Sequence, residues 1–388
     1  MKKPHLHLLI AFVALIVIGV SCKKNKSDDP TATNQSNNTT TTSVKYDRTA
    51  FLNNMGQNVI IPRYLDLKTK MSTLTSSAST FTNTPTTTNL AAAQADFLAA
   101  YKSWETVSQF AFGPADVNNL VTTQVNAFPA NATTINNNIT SGSYDFSSSS
   151  SASFSGFPAI DYLLFSKTGS AQDICDSYNN SSNRKKYLND VIADLTNKIN
   201  TVYSQWISGS NYLSVFKALN GTDVSSSTSA LLNQMALELD NFKNYKLGIP
   251  LGAYNAVGSA PSYNASHPEE SEGYYSDSSL TLMKQAIISM RDMYTGKTVA
   301  GVDSTGFDDY LIAINQASVN TAIINQFNVV INKVNAIPET YSQSLSDANK
   351  KVLIENVFTE TTLLLKNIKV DLSTAIAVEI TFSDNDGD

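Results

Sequence analysis

Apolar residues recur at every third or fourth position along most of this chain, a period that lines one face of an α-helix. Val319, Ile323, Phe327, Val330, Val334 and Ile337 form one such stripe, and Leu353, Val357, Leu364, Ile368, Leu372 and Ala375 form another. Leu232, Met235, Leu239 and Phe242 make a third, and Phe97, Tyr101, Trp104 and Ala111 a fourth. No set of alternating strands accompanies them, so an all-α fold is expected. A helical solenoid would repeat about every 30–45 residues, and no such period is present. Helical bundles are the remaining architecture.

Several positions mark expected helix ends. Ser346 followed by Asp347 suits an N-cap with an acid in the first turn. Gly248 is placed to stop the helix that carries the Leu232 stripe, and Pro62 implies a kink or two successive helices between Ala50 and about Thr75. Connections rich in Ser, Thr, Asn and Gly are expected around 76–88, 141–155, 168–182, 207–228, 254–278 and 295–306. About 345 residues follow Ser43, enough for one large domain or two of ordinary size. The polar stretch near 207–228 is the best divider, giving bundles over 44–215 and 216–388.

The N-terminus reads as an export signal over residues 1–21. Lys2 and Lys3 precede an apolar run from Leu6 to Val20 of about 15 residues, short of the ~20 that span a bilayer. Ser21 followed by Cys22 looks like a lipobox in which Cys22 carries the lipid, although Gly19 stands where leucine is usual. The alternative is an ordinary secretory signal. Residues 22–43 are charged, then almost wholly Thr, Asn and Ser, and are expected to form an unstructured tether. The run Lys23–Asp29 resembles the export tags of surface-displayed lipoproteins. The expected location is therefore the cell envelope, with lipid anchoring to the outer membrane and display outward.

Of the 27 Lys and Arg residues only Lys2 and Lys3 precede Cys22, so the chain from Cys22 has 25 basic and 33 acidic side chains, a formal charge of −8. Nothing in that balance points to nucleic acid. The same segment keeps one of three histidines, His267, and one cysteine besides Cys22, Cys175. A zinc site with two histidines, or with a Cys/His set, cannot be assembled from one such chain.

Gly156, Pro158 and Asp161 open a short apolar helix and resemble the Gly-x-His-x-x-Glu signature of the imelysin family, with proline at the histidine and aspartate at the glutamate. Further segments are similar to the family in the same order. Trp104-Glu105 precedes Phe112-Gly113-Pro114, and Lys246 opens a stretch holding Pro250 and Gly252. Glu272 is followed by Ser276 and Ser279, then by a helix ending at Tyr294-Thr295-Gly296 and by the terminal Ser383–Asp388. The resemblance spans residue 50 to the end. It implies two duplicated helical bundles with a site at their interface, a link to iron acquisition, and a peptidase label.

The candidate ligand-binding residues are Asp161, Glu272, Ser276, Trp104 and Lys246, with Asp161 and Glu272 as carboxylates for a metal. Against a ligand role, Asp161 reads as helix-start chemistry worth ~0.3–1 kcal/mol through the dipole, and Glu272 as a solvated loop acid beside Glu269 and Glu270. Ser279 reads as a cap of the helix near Leu280, and Trp104 as core. Pro158 offers no donor or side-chain acceptor. His267 reads as exposed and inert, Cys175 as incidental, and Asp384, Asp386 and Asp388 as a frayed acidic tail.

The function expected from these readings is a lipid-anchored binding component of iron or haem uptake. Iron, haem or an iron chelate would be its ligand, and outer-membrane uptake components its partners. Ferric iron prefers oxygen donors, which Asp161 and Glu272 supply without histidine. A metal-dependent peptidase and a scaffold or glycan-capture lipoprotein are the alternatives.

Overall fold

A computed structural model of the chain describes residues 46–208, 211–254 and 265–381. The structure is 73% helical, with no strand among the described residues, as the periodicity requires. The principal helices are α1 (Arg48–Asn54), α2 (Ile61–Asn83), α3 (Thr87–Trp104), α4 (Gly156–Leu164), α5 (Ser182–Ile207), α6 (Ser227–Asn241), α7 (Ser279–Tyr294), α8 (Ala317–Asn335) and α9 (Ala348–Lys366). Cys22, the export signal and Asp384–Asp388 lie outside the described residues.

α2 packs between α3 and α5, and α4 lies across α3 and α5. Further along the chain α8 packs between α7 and α9, and α6 reaches both α9 and the short turn Ser108–Phe110. The stripes point inward: Phe97, Tyr101, Ile323, Phe327, Val357 and Leu364 are buried, while Leu353 is partly exposed and its neighbour Ile354 is buried. Each large apolar side chain withdrawn from water stabilises the fold by ~1.5–3 kcal/mol. Hydrogen bonds tie the first two helices to the connection that follows α7. Asn54 Nδ2 donates to Gly296 O at 2.8 Å and Thr305 O at 2.9 Å, and Arg63 donates to Lys297 O at 3.0 Å. The described residues all belong to one compact unit.

Pro62 interrupts regular helix by a different route from a simple kink. α1 runs into a π-helical segment, Met55–Ile60, and α2 starts beyond it with Pro62 in its first turn. The same device recurs after α6, where Phe242–Gly248 is π-helical and Pro250 opens the following turn. Proline lacks an N–H and its ring crowds the carbonyl four residues back, a demand the wider π-turn relaxes. For Pro250 that carbonyl belongs to Lys246, and the Tyr341 hydroxyl donates to it at 3.1 Å instead.

Four expected helix ends are corrected. Gly248 does not stop its helix; its φ is −65°, and the chain leaves the helix at Gly252, where φ is +72°. Asp347 is itself the N-cap of α9, accepting the Asn349 N–H at 2.9 Å, while Ser346 ends the preceding helix. Ser279 does not cap α7; its hydroxyl donates to the Glu272 carbonyl. Asp161 is not in the first turn of α4, which holds no acid there. Two of the expected connections also contain helices, Ala171–Asn179 and Tyr212–Ala218, and residues 76–83 complete α2. Cys175 is buried in the core, because its helix turns that face inward.

Candidate functional site

Four buried ionisable groups gather where the end of α3, the π-helical segment after α6 and the loop before α7 come together. Glu105 follows Tyr101 by four residues, one turn further along the same face, and so continues a buried stripe with a carboxylate. It is fully buried, as is Glu272, and Lys246 is only 4% exposed. The Lys246 ammonium donates to Glu105 Oε2 at 2.8 Å and to Glu272 Oε2 at 2.6 Å. Asn126 Nδ2 donates to the other oxygen of Glu272 at 2.6 Å, while its own Oδ1 accepts from the Tyr101 hydroxyl at 2.7 Å. Glu238, the fourth group, accepts from Thr122 at 2.9 Å and from Asn241 at 3.2 Å.

The electrostatics follow from one ammonium among several carboxylates. Burial, and then the neighbouring charge of Glu272, raises the Glu105 carboxyl well above its usual range. Burial alone would lower Lys246, but Glu105 and Glu272 outweigh it and hold the ammonium above its ordinary value. Glu238 is raised by burial. The Tyr101 hydroxyl is raised by burial and then by the charges of Glu272, Asp161 and Glu105, so all three carboxylates act on one phenol.

Asp161 takes a separate partner. Its Oδ2 accepts the Tyr275 N–H at 3.0 Å, and its Oδ1 is buried without a hydrogen-bond partner. Burial pushes this carboxyl up to about 7, with Ser276 and the Tyr275 N–H pulling the other way. The loop carrying Tyr275 is fastened to the end of α4 by Lys167, which pairs with Asp277 at 2.5 Å and lies over the Tyr274 ring. A carboxyl whose folded pKa exceeds its unfolded value holds a proton that unfolding releases, so its contribution to stability falls as pH rises through the interval, here about 4 to 7. Relative to Asp161→Asn, the wild type is expected to lose on the order of 2–3 kcal/mol of stability between pH 5 and pH 8. Urea unfolding of both proteins at the two pH values measures the difference; a constant gap would show that Asp161 is not held protonated.

The structure thus brings Glu272 and Lys246 together and places Asp161 nearby on its own partner. Ser276 is half-buried, with its hydroxyl on Gly273 O at 3.3 Å and Ser278 at 2.8 Å. Trp104 is 1% exposed, and its Nε1 is buried without a partner. The solvated-acid alternative for Glu272 is overturned by its burial. His267 is on the surface, 3.5 Å from Glu269. Sequence reasoning left Glu105, Asn126, Tyr101 and Glu238 out of the site. The i,i+4 relation of Tyr101 and Glu105 was the one local signal; Asn126 and Glu238 carried none.

Two cavities border these residues. Pro158, Asp161, Ser271, Tyr274 and Tyr275 line one of about 10 Å³, room for about one water. The other, of about 200 Å³, is lined by Thr122, Asn126, Phe128, Asn241, Tyr245 and Lys246 among others. Pro158 and Asp161 of the signature motif therefore line the smaller space, and the larger one opens beside Lys246.

A bare metal ion does not fit the donor set. Glu272 is taken up by an ammonium and an amide, Asp161 has one oxygen on a backbone N–H and only the other unpartnered, and Lys246 holds the place between Glu105 and Glu272 that a cation would need. Among the described residues no three His, Cys, Asp or Glu side chains are grouped to hold a metal.

The family model described as Imelysin (Peptidase_M75) matches residues 60–368. Among solved structures, the chain is similar to a protein from Parabacteroides distasonis ATCC 8503 assigned as an iron-regulated protein A precursor. That likeness has a TM-score of 0.70 at 20% identity and covers 85% of this chain and 95% of the other. An imelysin-like protein from Psychrobacter arcticum 273-4 aligns with a TM-score of 0.65 at 15% identity, over 86% of this chain and 97% of its own. No curated protein matches the chain. At these identities the structural likenesses establish the shared all-α fold.

Proposed function

The chain belongs to the imelysin family, and from that membership we propose that it is a cell-envelope binding protein in iron acquisition. Its ligand is held where the helices of 44–215 meet those of 216–388. The observation that carries this proposal is the buried Lys246–Glu105–Glu272 cluster beside a cavity of about 200 Å³. Buried charge is costly to maintain, and such clusters gather at functional sites. The iron-regulated assignment of one structural relative supports the link to iron.

Because an ammonium takes the cation's place, the ligand is iron held within a molecule, a chelate or haem. The cavity is smaller than the ~300–1,000 Å³ of usual ligand pockets, so it receives one arm of such a ligand while the remainder lies outside. Anchoring through Cys22 to the outer membrane and a tether over 22–43 would let the body reach uptake components at the surface. No helix among the described residues is long and apolar enough to cross a membrane. Calorimetric titration of the purified protein with a ferric chelate and with haem is expected to give saturable heats, and free ferric iron none. Absence of binding to all three would end the iron-linked proposal.

A further inference from the structure

The larger cavity has a chemistry of its own, set by unspent donors and by charge. The Lys246 ammonium has three N–H bonds. Two go to Glu105 and Glu272, and the third has no acceptor among the described residues, although the side chain is 4% exposed and lines the cavity. Asn126 likewise spends one amide N–H on Glu272 and lines the same space. Donors desolvated in this way favour an acceptor oxygen. Thr122 and Asn241, which also line the cavity, donate to Glu238.

Charge narrows the class further. Burial shifts Glu105 and Glu238 toward their neutral forms, so the Lys246 ammonium is offset by Glu272 beside it and the cluster offers an incoming anion no net positive charge. A cation would face the ammonium and the amide donors. The remaining wall is apolar and aromatic, with Phe128 and with Tyr245, which is 39% exposed. An apolar cavity of about 150 Å³ accepts a benzene-sized guest, so about 200 Å³ accommodates a ring with one polar substituent.

We propose that this cavity binds a small uncharged molecule that presents an accepting oxygen to Lys246 Nζ and a ring-sized apolar body to Phe128 and Tyr245. The inference goes beyond the link to iron and does not depend on it. Titration of the full chain with benzamide, benzoate and benzamidine, followed by calorimetry or ligand-observed NMR, compares one shape in three charge states. Benzamide is expected to bind saturably and about tenfold more tightly than either charged analogue. Tyr245→Ala, at a half-exposed position outside the charge cluster, is expected to weaken benzamide about fivefold while leaving the urea midpoint unchanged. Benzoate or benzamidine binding as tightly as benzamide, no saturable benzamide binding, or benzamide affinity indifferent to Tyr245→Ala would each overturn the proposal. A protein that binds benzamide but no ferric chelate or haem sinks only the iron-linked function.

Discussion

Lys246→Met is expected to destabilise the folded chain by about 3–5 kcal/mol, because it leaves the Glu272 carboxylate buried without its cation and beside a second carboxyl group, Glu105. Glu105 and Glu272 are fully buried, and Lys246 is the one ammonium bonded to both. The attraction within such a cluster only offsets the cost of desolvating it, so the cluster is weak evidence for stability while its disruption is severe. Glu105→Gln should be far milder, within about 1 kcal/mol, since Glu105 is already raised toward its neutral form and glutamine preserves that shape and charge. The triple variant Lys246→Met, Glu105→Gln, Glu272→Gln should regain part of the loss. Urea midpoints for the three variants and the wild type decide it. A Lys246→Met midpoint equal to that of the wild type would mean that the carboxylates find other partners.

Gly156→Ala carries the second large effect. Gly156 has φ +68°, a conformation that costs a side-chain-bearing residue roughly 1–2 kcal/mol. An added Cβ would also lie 2.2 Å from the Val125 carbonyl oxygen and 2.8 Å from its Cα, backbone atoms that cannot rotate away. The segment before Asn126 would have to move, and with it the amide that holds Glu272. A loss of about 3 kcal/mol or more is expected, in the range reserved for strain at special backbone positions. Gly169→Ala is the control, since its φ is ordinary and its nearest obstacle is the Ser166 hydroxyl at 3.1 Å. Equal unfolding midpoints for Gly156→Ala and wild type would refute a structural requirement for glycine in the motif.

The motif's glycine is thus explained by close backbone approach, and its acid by contact with a distant loop. Neither was visible as such. Gly156 announced a turn, but Val125 lies 31 positions earlier in the chain. Asp161 looked like helix-start chemistry because an acid near a proline usually is; its contact with Tyr275 spans 114 positions. Lys246 and Glu272 were reached through the family's order of motifs, whereas Glu105 was passed over although it lies on the same face as Tyr101. The π-helical turns were hidden because proline was read as a break, and the widened turn that accommodates it has no residue signature of its own.

What the sequence determined by itself is the helical class, because a 3.6-residue period is a local property written in each stripe. Counted from Cys22, it also left one histidine, too few for a zinc site built on two. Which charges meet was decided only in three dimensions. Glu105 and Lys246 are 141 positions apart and Asn126 and Glu272 are 146 apart. Their pairing depends on how packed helices close in space, and burial then fixes the charge that each group can keep.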